Sequence, residues 1–530
     1  MNLFCIQEEH QRPPGFARDQ DHRGACKPRG RRAGLRSVRS LACDEGLGVC
    51  LGRERRRGAF QCGVCGLPRG PWPVPGDLCG DREGAHGLAG DRGWEEPLRG
   101  RRGYGRCGKY GYLDGNVYNS PIMSPEGFMY SEDSMKSKDL LVICHSYNNF
   151  QKNCIEGTSL FFRNITALVR TNPFAELSGF LPIPYLEGFK KSYKIDEYGK
   201  PQNISVMPTP VWYLPRDRDY KSLGNKHLAA VDSAIRNHQL NFDLVHAQFT
   251  WSAGYVGARL KEKYGTPFIV TARGYDIYSL PFKDKEWRER IEYVLNMADC
   301  ITTVSRSNLD CIRKLNVSIP VEVIPNGFRT DLFTPKNVTE CRAALNLPLD
   351  KKIVLTVGNL EPIKGHKHLV DAINILLGER NDVLCIIVGV GRLKNVLKQQ
   401  IRSLNLDDSV ILVGGRPHNA IPDWMNACDV FVLPSLNEGN PNVMFEALGC
   451  GKPFVGSAVG GVPDIVTSEK YGLLVEPGNS SELAQKINMA LDKEWDRRNI
   501  VRYARQFSRE EMSERMIGVY SKVLEIAMTR

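Results

Sequence analysis

From residue 139 onward, short apolar runs alternate with longer amphipathic stretches, and the alternation comes in two successive sets. Continuous apolar runs this short read as strands buried on both faces. The stretches between them read as helices that carry the chain back across a parallel sheet. The first set places strands at 140–144, 244–247, 268–271, 301–304 and 321–324, with helices at 253–264 and 286–297. The second places strands at 353–357, 384–388, 410–413, 430–433, 454–456 and 473–475, with helices between them. Residues 172–224 are Pro- and Tyr-rich, which predicts loops and little regular structure. A boundary within 328–350 separates two halves of single-domain size. Ligands of such sheets bind beyond the carboxyl ends of the strands, so two facing halves make a cleft there.

The motifs fall at those strand ends. Ser435-Leu-Asn-Glu438-Gly439-Asn440-Pro441-Asn442-Val443-Met-Phe-Glu446 follows a strand of the second half. Asn440 is a natural N-cap and Pro441 suits a first helical position, so a helix is expected to start there, leaving the amides around Asn442 as an anion site. Glu438 then precedes the helix, and Glu446 sits about one and a half turns inside it. Two acceptors beside one set of donors suit a nucleotide sugar: its ribose and hexose hydroxyls need acceptors and its diphosphate needs donors. The plainer alternative is that Glu438 complements the helix dipole and Glu446 lies on a solvated face. Gly451 and Pro453 supply the stop. Val357-Gly358-Asn359 to Lys364-Gly365 follows the first strand of the second half, where Lys364 is a sound phosphate ligand; in isolation it would pass for a solvated loop lysine. Gly460-Gly461-Val-Pro463 is another Gly-rich strand end on the same cleft, and Pro325-Asn326-Gly327 reads most simply as a turn. Gly389-Val-Gly391 lacks a third glycine at the required offset, so a dinucleotide fingerprint is unsupported.

Residues 1–110 differ in composition from the rest. They hold 21 Lys and Arg against 13 Asp and Glu, hence +8 of the formal +11, with 8 of the 16 Cys and 21 of the 50 Gly but one Ile. Such a segment has little to bury, so 1–135 is expected to be a disordered Arg/Gly/Cys-rich extension. Residues 1–110 are read as foreign to the enzyme, with Met123, Met129 and Met135 as candidate starts. Cys62-Gly-Val-Cys65 with Cys79 and Cys107 is a weak zinc pattern, because no second CxxC accompanies it. The Arg clusters lack interleaved aromatics, and no nucleic acid is expected for 136–530. No run reaches the roughly 18 apolar residues of a membrane span and no signal peptide is apparent, so the expected location is cytoplasmic, with at most peripheral contact at the inner face of the plasma membrane. The later cysteines lie singly in apolar runs, as core residues of a reducing compartment do. Five N-x-S/T sequons begin at Asn164, Asn203, Asn316, Asn337 and Asn479 and carry no meaning in a chain that is not secreted.

Taken together, residues 137–528 resemble the retaining glycosyltransferases of the GT-B fold, specifically glycosyltransferase family 4. Thr303-Val-Ser-Arg-Ser-Asn308 and Ile324-Pro-Asn-Gly-Phe-Arg-Thr-Asp331 look like first-half signatures. Val357-Gly-Asn-Leu360, Lys364-Gly365, Asp429 to Ser435 and the Glu438/Glu446 spacing look like second-half ones. The resemblance implies two Rossmann-like αβα domains facing a cleft: an acceptor-side domain at 136–330, a nucleotide-sugar domain at 331–508, and a last helix at 509–530 crossing back to the first. It implies that Glu446 holds the ribose, that Glu438 holds the donor sugar, and that Lys364 holds the diphosphate. Gly358, Asn359, Gly439, Asn440, Pro441, Asn442 and Val443 would line the donor. No metal and no cofactor beyond the nucleotide-diphosphate sugar is implied. The resemblance further implies that retention proceeds on one face of the sugar, with the departing phosphate helping to deprotonate a glycan or lipid-linked acceptor, in cell-surface polysaccharide or glycolipid synthesis.

Two departures stand out: Asn359 lies where many members carry Arg, and Arg273 lies in Thr271-Ala-Arg-Gly-Tyr-Asp276 where the family often has His. Arg273 is the candidate to complete the cationic clamp. The competing classes are a sugar-nucleotide epimerase on the same fold and a non-catalytic binding protein. A metal-dependent transferase using Asp217-Arg-Asp219 is disfavoured, since Pro215 and the flanking basic residues make that segment a solvated loop.

Overall fold

The computed structural model describes residues 135–177, 190–214 and 216–529. The first lobe is built on β1 Asp139–Cys144, β2 Asn164–Thr171, β3 Ile204–Pro210, β4 Leu244–Ala247, β5 Phe268–Ala272, β6 Cys300–Thr303 and β7 Val321–Val323. These form one sheet in the order β3-β2-β1-β4-β5-β6-β7. The second lobe uses β8 Lys352–Val357, β9 Val383–Val388, β10 Val410–Gly414, β11 Val430–Leu433, β12 Phe454–Ser457 and β13 Gly472–Val475, in the order β10-β9-β8-β11-β12-β13. All strand pairs are parallel. In both sheets the order reverses beside the first strand, between β1 and β4 and between β8 and β11. Connections leave that point toward opposite faces and open a crevice at the carboxyl ends.

The unbroken apolar runs have a direct cause. Leu141 and Ile143 enter a core with Trp251, Trp287 and Phe268 on one face of the first sheet. Leu140, Val142 and Cys144 enter a second core on the other face. That second core is completed by Met512, Val519, Tyr520, Val523 and Leu524 of the Arg509–Thr529 helix, so the chain's last helix covers the first lobe. A third core, from Val354 to Leu491, fills the second lobe.

Eleven strands lie within one residue of where the alternation puts them. The expectation of loops over 172–224 is overturned. β3 pairs with β2 from Ile165↔Ile204 to Thr171↔Pro210, and a helix runs over Asp217–His238. Pro208 and Pro210 obscured β3, and they are tolerated because β3 is an edge strand whose outer face needs no donor. Asp217 and Asp219 likewise sit in the first turn of that helix rather than in a loop, and Asp217 pairs with Lys283 and accepts from Trp287 Nε1 at 3.2 Å. The expected helix at 253–264 begins as a wide turn at Thr250–Gly254 before Tyr255–Tyr264.

Two of the sequon asparagines are helix caps. Asn337 accepts from the amides of Thr339 and Glu340, and Asn479 accepts from that of Glu482. The eight described cysteines are free thiols, and burial pushes Cys385 up to about 12. The Arg/Gly-rich segment, its CxxC and Met123 and Met129 lie outside the described residues.

Candidate active site at the cleft between the lobes

The crevice of the second sheet is bounded by the turns after β8 and β11. Gly365 has φ +66, and a Cβ there would meet the Pro434 carbonyl at 1.9 Å. The two turns can therefore press together, and Leu436 N–H donates to Ile363 O at 2.7 Å. This clamp brings Lys364 Nζ to 2.6 Å from Glu438 Oε1, which also accepts from Ser435 Oγ at 2.7 Å. Glu438 is buried, so this ion pair is shielded from solvent. Beneath it, Gly460 has φ +55 and lies so close that a Cβ would stand 1.7 Å from the Glu438 carbonyl. The Gly460-Gly461 turn thus props the Glu438 loop from below.

The following helix starts one residue later than expected, at Asn442, and ends at Gly449. Pro441 occupies the capping position with extended backbone, and no side chain caps the helix. Asn440 is drawn elsewhere: its Oδ1 accepts from Asn326 N–H at 3.0 Å, and its carbonyl accepts from Asn326 Nδ2 at 3.1 Å. The Pro325-Asn326-Gly327 segment is therefore more than a turn, because it joins the lobes at the loop that carries Glu438 and Asn440. Arg273 is buried behind it, donating through Nη1 to Asn326 at 2.9 Å and through Nη2 to Gln248. Gly439 touches the same first-lobe turn, where a Cβ would meet the Arg273 carbonyl at 2.6 Å.

Gly358, Asn359, Asn442, Val443 and Glu446 line one open cleft of about 780 Å³. Glu446 is buried to 6% exposure, and His418 Nε2 lies 2.9 Å from its Oε1. His418 in turn rests against the Phe333 ring at 5.2 Å. Asn359 is held through its carbonyl, 3.1 Å from His366 Nε2. Burial together with the neighbouring Lys364 holds that imidazole down at about 4, so it is neutral. Glu438 and Lys364 stand beside this cleft, joined to each other. Arg273 lines an adjoining pocket of about 490 Å³ with His246, Gln248, Asn326 and Tyr520.

The sequence did not point to His418, Arg416 or Gln248, and it marked Asn326 only as part of a turn and of a first-half signature. Arg416 and His418 belong to Gly414-Gly-Arg-Pro-His418, a Gly-rich strand end of the same kind as those that were noticed, and both line the cleft. Gln248 carries no local signal, and the contacts of Asn326 could not be read from its turn, since the partners of both are remote in sequence.

Comparison with known proteins agrees with this architecture. Residues 195–332 match the model for Glycosyltransferase Family 4, and residues 337–507 match that for Glycosyl transferases group 1. The putative teichuronic acid biosynthesis glycosyltransferase TuaC of Bacillus subtilis is 30% identical over 261 residues, 49% of this chain and 64% of TuaC. An uncharacterized glycosyltransferase of Methanocaldococcus jannaschii is 28% identical over 63% of this chain and 87% of its own. Among solved structures, Anabaena HepE in complex with UDP superposes with a TM-score of 0.58 at 22% identity, covering 73% of this chain and all of HepE. By both domain models and by its paired sheets, the chain belongs among the glycosyltransferases of the GT-B fold.

Proposed function

We propose that the chain transfers a glycosyl group from a nucleoside-diphosphate sugar to a glycan or lipid-linked acceptor, with retention of configuration and without a metal. The observation that carries this reading is the pair of buried carboxylates flanking an uncapped helix start, each held by a basic partner: Glu446 by His418 and Glu438 by Lys364. Glu446, at the back of the open cleft, suits the ribose diol. Its bond to His418 fixes one oxygen and leaves the carboxylate further acceptor capacity. Glu438 suits the hydroxyls of the transferred sugar.

Lys364 is the switch between them. On donor binding its ammonium moves from Glu438 to the diphosphate, which places positive charge where the leaving group develops it and releases Glu438 Oε1 to the sugar. The bond from the anomeric carbon to the diphosphate oxygen breaks. The acceptor oxygen bonds to the same face of that carbon, and its proton passes to the departing phosphate. Arg273, held between Gln248 and Asn326, sets the first-lobe side of the reacting centre. HepE is solved in complex with UDP-glucose, which supports a nucleotide-sugar donor, and TuaC is named for teichuronic acid biosynthesis, which supports a role in cell-surface polysaccharide or glycolipid assembly at the cytoplasmic face of the membrane. No described helix is long and apolar enough to cross a membrane.

The test is incubation of the full chain with UDP-, GDP- and ADP-sugars, with nucleoside diphosphate release and product configuration followed by NMR. An α-linked product from an α-donor is expected. An epimerised nucleotide sugar formed without acceptor would sink transfer, and absence of any nucleotide binding would sink the donor site.

A further inference from the structure

The carboxyl end of the first sheet holds a second group of polar side chains that the donor site does not use. Arg170, at the end of β2, is 1% exposed. Its Nη1 donates to Ser252 Oγ at 2.8 Å, and its guanidinium lies 5.3 Å from the centre of the Tyr213 ring. No carboxylate pairs with it among the described residues. Thr209 stands opposite it in the β2–β3 register, and His227 shares Ser252 at 2.9 Å.

Twelve buried side-chain polar atoms lack a partner among the described residues. Five belong to this one group: Arg170 Nε, His145 Nε2, Thr209 Oγ1, Tyr213 OH and His227 Nε2. A buried cation without a counter-charge is costly, and so is each buried polar atom without a partner. A random defect would scatter these over the molecule; here they converge. All five atoms can donate a hydrogen bond, so what they jointly lack is a ligand rich in acceptors. The local potential is positive as well: burial drives His145 and His227 well down, and Arg170 and Lys194 push both further the same way.

We infer that this group of side chains binds an oxyanion carried by the acceptor, a phosphate or carboxylate group, with Arg170 as its counter-ion. The inference rests on reading the first lobe as the acceptor side. It is linked to the reacting centre through the buried segment after β4, where Gln248 holds Arg273 and Ser252, four residues on, holds Arg170.

The experiment is thermal unfolding of the full chain with inorganic phosphate, glucose 6-phosphate or glucuronate, in wild type, Arg170→Met and Lys364→Ala. At saturating ligand at least one of the three should raise the wild-type midpoint by about 2 °C or more. Lys364→Ala should keep this response, which separates it from the donor diphosphate site, and Arg170→Met should lose it. Whichever of phosphate, sugar phosphate or uronate acts most strongly names the source of the oxyanion. A response that survives Arg170→Met, or is abolished by Lys364→Ala, overturns the inference, as does no response to any of the three. Should Arg170→Met fail to fold, Tyr213→Phe serves instead. That hydroxyl has no native bond to lose, so unliganded stability should hold while the affinity falls about threefold or more; unchanged affinity overturns the inference. UDP binding measured in parallel reports on the donor site alone, so the two readings fail separately.

Discussion

Replacing Glu446 and Glu438 one at a time by Gln tests the division of labour between them. Glu446 is 6% exposed and bonded to His418, so its charge is little screened. A hydrogen bond to a charged group contributes about 1.5–3 kcal/mol against about 1 for a neutral one. Two ribose hydroxyls bonded to a neutral amide in place of a carboxylate therefore lose about 1–4 kcal/mol, or roughly 5-fold to several-hundred-fold in Kd at 1.4 kcal/mol per tenfold. Glu446→Gln should weaken the nucleoside diphosphate by that factor. Glu438→Gln should behave differently, because in the free enzyme Glu438 competes with phosphate for Lys364 at 2.6 Å. Removing its charge should leave affinity for the nucleoside diphosphate unchanged or tighter, while transfer falls about a hundredfold. Isothermal titration with UDP, GDP and ADP gives the first quantity and steady-state transfer gives the second. If Glu438→Gln weakens the nucleotide as much as Glu446→Gln does, the assignment of one carboxylate to each sugar is wrong.

Other outcomes follow from single contacts. Gly460→Ala puts a methyl into the space of the Glu438 carbonyl at a positive φ and should cost about 1–3 kcal/mol of stability together with most transfer; chemical denaturation and activity check it, and wild-type values for both would refute the prop. Tyr520→Phe removes the bond to His246 Nδ1, 2.7 Å away, and should lower stability by about 1–2 kcal/mol, seen as a lower melting temperature. His246 and His366 are held at about 3 and about 4 against an ordinary 6.5, mainly by burial. The unfolded chain therefore takes up these protons first as pH falls, and stability present above 6.5 is lost progressively down to about 4 for His366, by about 3 kcal/mol. Urea unfolding at several pH values should show this acid limb, and His366→Gln should flatten it.

Alternating hydrophobicity was enough to place eleven strands, because a strand buried on both faces needs an unbroken apolar run whatever its neighbours are. It failed at β2 and β3, where Thr166 and Arg170 interrupt the pattern and edge prolines imitate a loop. The strand-end cluster of the second lobe was similarly legible: Gly358, Lys364, Glu438 and Glu446 lie at strand ends of one sheet, and chain order brings them together. The sequence by itself thus determined the two sheets and the acidic and basic residues at their carboxyl ends, since these depend on local periodicity and on which strand each turn follows. Only the tertiary structure decided the pairings, because these join residues far apart in the chain. Asn440 caps nothing and instead holds Asn326, His418 orients Glu446, and Arg273 is fixed between Gln248 and Asn326. The group around Arg170 is of the same kind, for the lack of a counter-charge among the described residues becomes visible only once side chains remote in sequence are brought together.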